Sequence, residues 1–169
     1  LFEHYYHVQV EYSVQKPDLI RMLNNSDAAL LIGDDALVAA ANHMEWKGRP
    51  LYITDLGQAW KDFTGQKMVY ALWVIHNKFV EKHPEEVQAV SKAFIEAKEY
   101  GFAHVPDLVK LAGAKTGLPL EVMENYFQTI RYDFGQEEQK ALLTFYDYAY
   151  KSGLIGDRVK LNIWGEKIG

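Results

Sequence analysis

Apolar and polar positions change rhythm along this chain. Over roughly the first two-fifths, short apolar runs alternate with short helical patterns. Val8-Gln9-Val10-Glu11-Tyr12 alternates with period two, which predicts a strand with one covered face. Leu19, Ile20 and Leu23 give a short apolar stripe behind Pro17 and Asp18, and Asn24-Asn25-Ser26-Asp27 ends it. Ala28-Ala29-Leu30-Leu31-Ile32 is continuously apolar, as expected of a strand covered on both faces. Strand, helix and strand in this order predict a βαβ unit with parallel pairing and a right-handed crossover. Gly33-Asp34-Asp35 follows, then a helical stretch from Ala36 to Ala41 and a turn at Lys47-Gly48-Arg49-Pro50. Leu51-Tyr52-Ile53 predicts a further short strand. Asp55-Leu56-Gly57-Gln58 has the form of a capping box opening a helix that carries Trp60 and Phe63 and closes at Thr64-Gly65. Met68 to His76, rich in β-branched and aromatic residues, predicts the third strong strand.

From Pro84 onward the period is helical. Pro84, Pro106 and Pro119 each suit a first helical turn, and each is followed closely by an acidic residue. Three stripes follow: Val87, Val90, Phe94 and Ala97; then Leu108, Leu111 and Ala112, ended by Gly117; then Val122, Tyr126 and Phe127. Leu142, Phe145, Tyr146 and Ala149 fit the i, i+3, i+4, i+7 template, with Gly153 placed to end that helix. The fold class is therefore α/β followed by helices. The expected organisation is an incomplete α/β lobe over 1–67, a return or hinge strand and its connection over 68–83, and a C-terminal helical region over 84–169.

Composition narrows what such a chain does. Nearly half of the 169 residues are apolar (49%), enough for a sizeable core. A net charge of −5 with only four arginines and no basic block argues against a nucleic-acid or anionic-membrane surface. The absence of cysteine removes thiol nucleophiles, cysteine-based zinc sites and disulfides, and suits the cytoplasm. No apolar run approaches the ~20 residues of a membrane span. The opening Leu1-Phe2-Glu3-His4 has neither Met nor a basic leader, which is the expectation for a processed chain or a fragment.

Motifs for chemistry are few. His4 and His7 lack a third ligand, and His43, His76, His83 and His104 are scattered, so no metal site is expected and these histidines are taken as solvated or structural. Of these, His76 is the one placed at the end of an expected strand. None of Ser13, Ser26, Ser91 and Ser152 sits on a strand-to-helix elbow. There is no Gly-x-Gly-x-x-Gly and no Walker lysine motif. The tyrosines at 146, 148 and 150 are at packing positions of a helix. One segment stands apart. Leu31-Ile32-Gly33-Asp34-Asp35-Ala36-Leu37 puts a glycine and an acidic pair where an apolar strand meets a helix N-terminus, the place where open α/β sheets hold ligands. Gly33 lets a ligand approach the backbone. Asp34 either lines such a cleft or, like Asp35, caps the helix, and the two roles are compatible.

The segments Asp27–Leu37, Asp55–Trp60, Thr64-Gly65, Met68–Trp73, Ile130–Gly135, Phe145-Tyr146 and Gly153–Ile155, taken in order, resemble the chorismate dehydratase family of the futalosine route to menaquinone. The resemblance covers nearly the whole chain. It implies part of a type II periplasmic-binding-protein-like fold, two α/β lobes hinged about a cleft, of which this chain matches the later half. It further implies dehydration of chorismate to 3-[(1-carboxyvinyl)oxy]benzoate by a cofactor-independent carbon–oxygen lyase. In that family a serine- and threonine-rich ligand loop precedes the part matched here, so the resemblance carries over no catalytic acid or base. Gly33 and Asp34 are the expected ligand-binding residues. A sister enzyme of the same pathway has a histidine where this sequence has Gly33, which favours the dehydratase. The alternative is a solute-binding module of the same fold for a small anionic ligand. The expected partners are that small anion and either a second copy or an N-terminal segment completing the fold, with no nucleic acid or membrane.

Overall fold

The structure, a computed structural model, describes residues 1–42 and 45–165. Its elements in chain order are a π-helical turn at Phe2–Tyr6, α1 (Leu19–Leu23), α2 (Gly33–Asn42), β1 (Glu45–Trp46), β2 (Arg49–Pro50), α3 (Leu56–Thr64), α4 (Asn77–Lys82), α5 (Pro84–Ala103), α6 (Val105–Thr116), α7 (Leu120–Thr129) and α8 (Gln136–Lys151). Among the described residues the protein is thus mostly helical with one small antiparallel sheet, in which Glu45 faces Pro50 and Trp46 faces Arg49. Lys47 (φ 51°) and Gly48 (φ 73°) make its two-residue loop, the left-handed pair that matches the twist of a tight hairpin.

Several local signals act as the sequence predicts. The Asp18 side chain accepts from the Arg21 N–H at 3.0 Å, opening α1. Asp55 accepts from the Gly57 and Gln58 N–H groups at 2.8 and 3.1 Å, opening α3. The box is half made, because the Gln58 amide turns away and donates to Asp62 at 2.7 Å. Gly65 and Gly117 end α3 and α6 in the left-handed conformation, at φ 70° and 72°.

The four expected strands do not form. Val8–Tyr12, Ala28–Ile32, Leu51–Ile53 and Met68–His76 enter no ladder among the described residues, and α4 follows directly on the last of them. The βαβ unit and the strand buried on both faces are therefore corrected: Leu30 is 61% and Ile32 78% exposed. An apolar, β-branched run becomes a strand only when it joins a ladder with a neighbouring strand, and among the described residues the only ladder is β1 with β2.

The described residues form two compact units, each built from discontinuous stretches. The first comprises Leu1–Gln9, Thr54–Ile75 and the described residues from Tyr132 onward. Here Trp60 of α3 is surrounded by aromatic rings, with Phe145 and Tyr148 of α8 both at 5.6 Å and Phe63 at 6.1 Å. The N-terminal turn joins the cluster through Tyr5 on Phe63 and His4 on Tyr148. His4 Nε2 also lies 2.7 Å from the Ser152 hydroxyl, so it is held rather than merely solvated.

Lys67 closes the other end of this unit, donating to Glu137 at 3.1 Å and Glu138 at 2.9 Å, while Glu138 also accepts from the Gly135 N–H that opens α8. The Lys67 hydrogen bond, then the local backbone donors, hold the Glu138 carboxyl below its ordinary 4.5. A depressed carboxyl contributes stability above its unfolded pKa and loses it as the pH falls through the folded value. We expect a carboxyl NMR titration to place the Glu138 midpoint below 4.5, and to return it toward 4.5 in Lys67→Met or at high salt. An unchanged midpoint in Lys67→Met would contradict the pairing.

The second unit comprises the described residues of 10–53 together with His76–Arg131. Its core is Val109, Leu118 and Met123, with Leu37, Val38, Val105, Ala112, Val122 and Phe127 packed around them. The stripe on α6 differs from the expected one. Val109 and Gly113 are buried, whereas Leu111 is 69% exposed. Gly113 decides this, since a Cβ there would come within 2.9 Å of Leu120 Cδ2 on α7. The helices close along the side that lacks bulk. On α5 only Val87 of the expected stripe is buried.

Candidate functional site

In the second unit α1, the start of α2 and the end of α6 border an open cavity of about 460 Å³. Its apolar wall includes Ile20, Leu31 and Val38, and its polar groups are Asp18, Asp34, Asp35, Lys115 and Thr116. Two of these are already engaged: Asp18 caps α1, and the Thr116 hydroxyl donates to the Ala112 carbonyl at 2.8 Å. The chemistry available to a ligand therefore lies with Asp34, Asp35 and Lys115. Lys115 Nζ stands 3.8 Å from an Asp34 oxygen, with both side chains well exposed. At that distance the pair is a charge contact rather than a tight hydrogen bond.

Gly33 begins α2 with φ +61°, and nothing lies within 4 Å of where its Cβ would be. Asp34 lines the cavity, whereas Gly33 stands beside it. The acidic pair sits in the first turn, one and two residues past Gly33, and so does not occupy the cap position. Carboxylates there favour the helix through its positive N-terminal end. The first-turn amides of a helix have no acceptor in a preceding turn, so this end also offers donors to an anion. Three carboxylates against one ammonium make the mouth acidic on balance. Lys115 and the amides are what an anionic ligand would use, with Asp34 as a polar neighbour whose charge Lys115 offsets. Sequence reasoning singled out Asp34 and missed Lys115. It sits near a helix end in Lys115-Thr116-Gly117, far from Asp34 in the chain and without a motif.

The histidines have structural roles where they are described. The His76 ring accepts from the Lys78 N–H at 3.2 Å and caps α4. His83 pairs with Glu86 at 2.9 Å and stacks on Phe79. His104 donates to the Tyr100 carbonyl at 2.7 Å. His43 lies outside the described residues. Among the described residues no three His, Asp or Glu side chains gather as a metal site. No helix among them is long and apolar enough to cross a membrane.

A second open cavity, about 560 Å³, lies in the first unit along α8. Its charge is opposite, with Lys140, Lys151 and Arg158 around Asp147. Asp147 binds Lys151 at 2.7 Å and Arg158 at 3.1 Å, and chiefly the Lys151 hydrogen bond lowers its pKa. Two of the three cations are thus occupied within the protein. The Tyr70 hydroxyl rests against the Gly57 backbone beside Asp55, where a Cβ on residue 57 would overlap it. Burial of that hydroxyl, then the Asp55 charge, raises its pKa.

Compared with known families, the chain matches one family model, described as menaquinone biosynthesis, over residues 1–151.

Proposed function

The chain belongs to the menaquinone biosynthesis family, and from that premise we propose that the protein is a hydro-lyase converting chorismate to 3-[(1-carboxyvinyl)oxy]benzoate. The observation that carries the reading is the family match itself, because it spans the three segments that resemble the dehydratase most: Leu31–Leu37, Asp55–Trp60 and Arg131–Gly135. The fold proposed with it is part of a two-lobe, type II periplasmic-binding-protein-like architecture. Two units assembled from interleaved stretches of chain support it, since a chain that runs repeatedly between lobes produces that pattern.

In the reaction, the ring C–H bond at the ether-bearing carbon gives its proton to a base. The neighbouring C–O bond breaks, and the hydroxyl leaves with a proton as water. The ring becomes aromatic with no net oxidation, so the task is to hold two carboxylates, place a base and keep water out. Gly33 and Asp34 are the proposed ligand-binding residues. The α2 amides take a substrate carboxylate, and Lys115 lowers the repulsion that Asp34 would otherwise exert on it.

The test uses the complete gene product with chorismate and a chelator, following the aromatic product by chromatography. Turnover supports the reading. Tight binding of a small anion without turnover would support a solute receptor instead, and a requirement for added metal would contradict the mechanism. Gly33 variants separate backbone from bulk. Gly33→Asn tolerates the left-handed conformation and is expected to keep stability, while its side chain lowers kcat/KM by crowding the ligand against the backbone. Gly33→Val is expected to cost about 2 kcal/mol of stability in denaturant titration, because a β-branched residue is strained at φ +61°. Asp34→Asn, at an exposed site, is expected to change stability by less than about 0.5 kcal/mol while lowering kcat/KM at least tenfold. Unchanged kcat/KM in Asp34→Asn would remove it from the site.

A further inference from the structure

The cavity of about 560 Å³ along α8 is lined by three cations and one carboxylate, a balance of +2 on a chain of net charge −5. Lys140, Thr144, Asp147 and Lys151 recur at helical spacing and share one face of α8, and Arg158 and Val159, from the segment after the helix, complete the lining. Two of the cationic groups are preset. Each oxygen of Asp147 takes one of them, Lys151 at 2.7 Å and Arg158 at 3.1 Å. Each also lies over a tyrosine ring, Lys151 over Tyr148 at 5.1 Å and Arg158 over Tyr150 at 5.2 Å. Ordering two long side chains in advance lowers the entropy cost that a ligand would otherwise meet. Both keep capacity, because an ammonium has three donors and a guanidinium five, and Asp147 takes one contact from each. Asp147 is the most covered of the three, its side chain 30% exposed against 51% for Lys151 and 66% for Arg158, so the cations are more open to an incoming anion than the carboxylate is. Lys140, two turns earlier on the same face, is in no ion pair among the described residues.

We propose that this cavity binds a small phosphate monoester, with Lys151 and Arg158 holding the phosphate and Lys140 as the third cation. A phosphate monoester carries a charge of about −1.5 to −2 near neutral pH and three strong acceptor oxygens, which matches a lining of +2 with three cationic groups. A carboxylate offers one charge and two oxygens. The planar guanidinium of Arg158 suits two phosphate oxygens at once, and the Lys151 ammonium acts as a point charge beside it. Leu143 and Val159, apolar members of the same lining, receive the organic part of the ester. The cavity shares no residue with the one between α1, α2 and α6, and it lies within the other unit, so the proposal does not rest on the chorismate reading.

Calorimetric titration of the 169-residue chain with phenyl phosphate, inorganic phosphate and benzoate at low salt tests this. Phenyl phosphate is expected to saturate one site at about 1 mM or below, more tightly than inorganic phosphate because the ring packs on Leu143 and Val159. Benzoate is expected to bind at least tenfold more weakly than phenyl phosphate. Arg158→Gln should weaken phenyl phosphate at least tenfold. Lys140→Met, which breaks no internal ion pair, should weaken it several-fold with unchanged circular dichroism, and so reads the site even if Arg158→Gln disturbs the fold. Lys115→Met, in the other cavity, should leave the affinity as it is. No saturable binding of phenyl phosphate would overturn the proposal, as would benzoate binding equally well. Affinity indifferent to both Arg158→Gln and Lys140→Met, or lost in Lys115→Met, would place the anion elsewhere and overturn it too.

Discussion

Replacing Met123 by alanine is expected to lower the unfolding free energy by about 3 kcal/mol, within the range for removing a large buried side chain. Met123 is 2% exposed and sits between Val109 and Leu118, where α7 closes on α6. The loss has two parts, the transfer of the side chain and the cavity left behind, and the second is large when neighbours cannot collapse. Here α6 and α7 are already at close approach through Gly113, so little relaxation is available. Met123→Leu keeps most of the volume and is expected to cost less than about 1.5 kcal/mol. Urea titrations followed by circular dichroism distinguish the two. Equal, small losses would mean that the α6–α7 contact is not the core of its unit.

Trp60→Ala is the second large effect, with about 3–5 kcal/mol expected. Trp60 is 3% exposed and makes edge contacts with Phe63, Phe145 and Tyr148, so its removal takes the centre out of the aromatic cluster joining α3 to α8. One property of this side chain works against it. The indole Nε1 is buried without a hydrogen-bond partner among the described residues. An unsatisfied buried donor costs about 1–3 kcal/mol. Trp60→Phe removes that donor while keeping a ring, and it is expected to lose less than half as much as Trp60→Ala. A Trp60→Phe variant as unstable as Trp60→Ala would show that the indole N–H has a partner after all. These effects concern different units, so the two substitutions should add within about 0.5 kcal/mol in the double variant.

Local chemistry was legible in the sequence because it acts over three or four residues. Asp18 and Asp55 open their helices, Gly65 and Gly117 close theirs, and Lys47-Gly48 turns the hairpin, each through a hydrogen bond or a backbone angle fixed by its own side chain or its lack of one. The family was legible too, since Leu31–Leu37, Asp55–Trp60 and Arg131–Gly135 keep their order within the stretch that matches menaquinone biosynthesis. The start of α2 at Gly33-Asp34-Asp35 was legible for the same local reason, a glycine and an acidic pair at a helix start.

Tertiary structure decided what depends on distant groups. Ala28–Ile32 and Met68–His76 have strand composition, yet a strand is a relation between two segments, and the pattern of one segment does not supply the other. The face that α6 buries was set by how closely α7 approaches at Gly113, so the side carrying Leu111, which bulk alone favours, stays in water. Lys115 meets Asp34 only because α6 ends beside the start of α2, and nothing near either residue in the chain signals that contact. Short-range hydrogen bonding and backbone preference are written residue by residue; pairing, burial and charge contact require a second surface, and only the folded chain provides it.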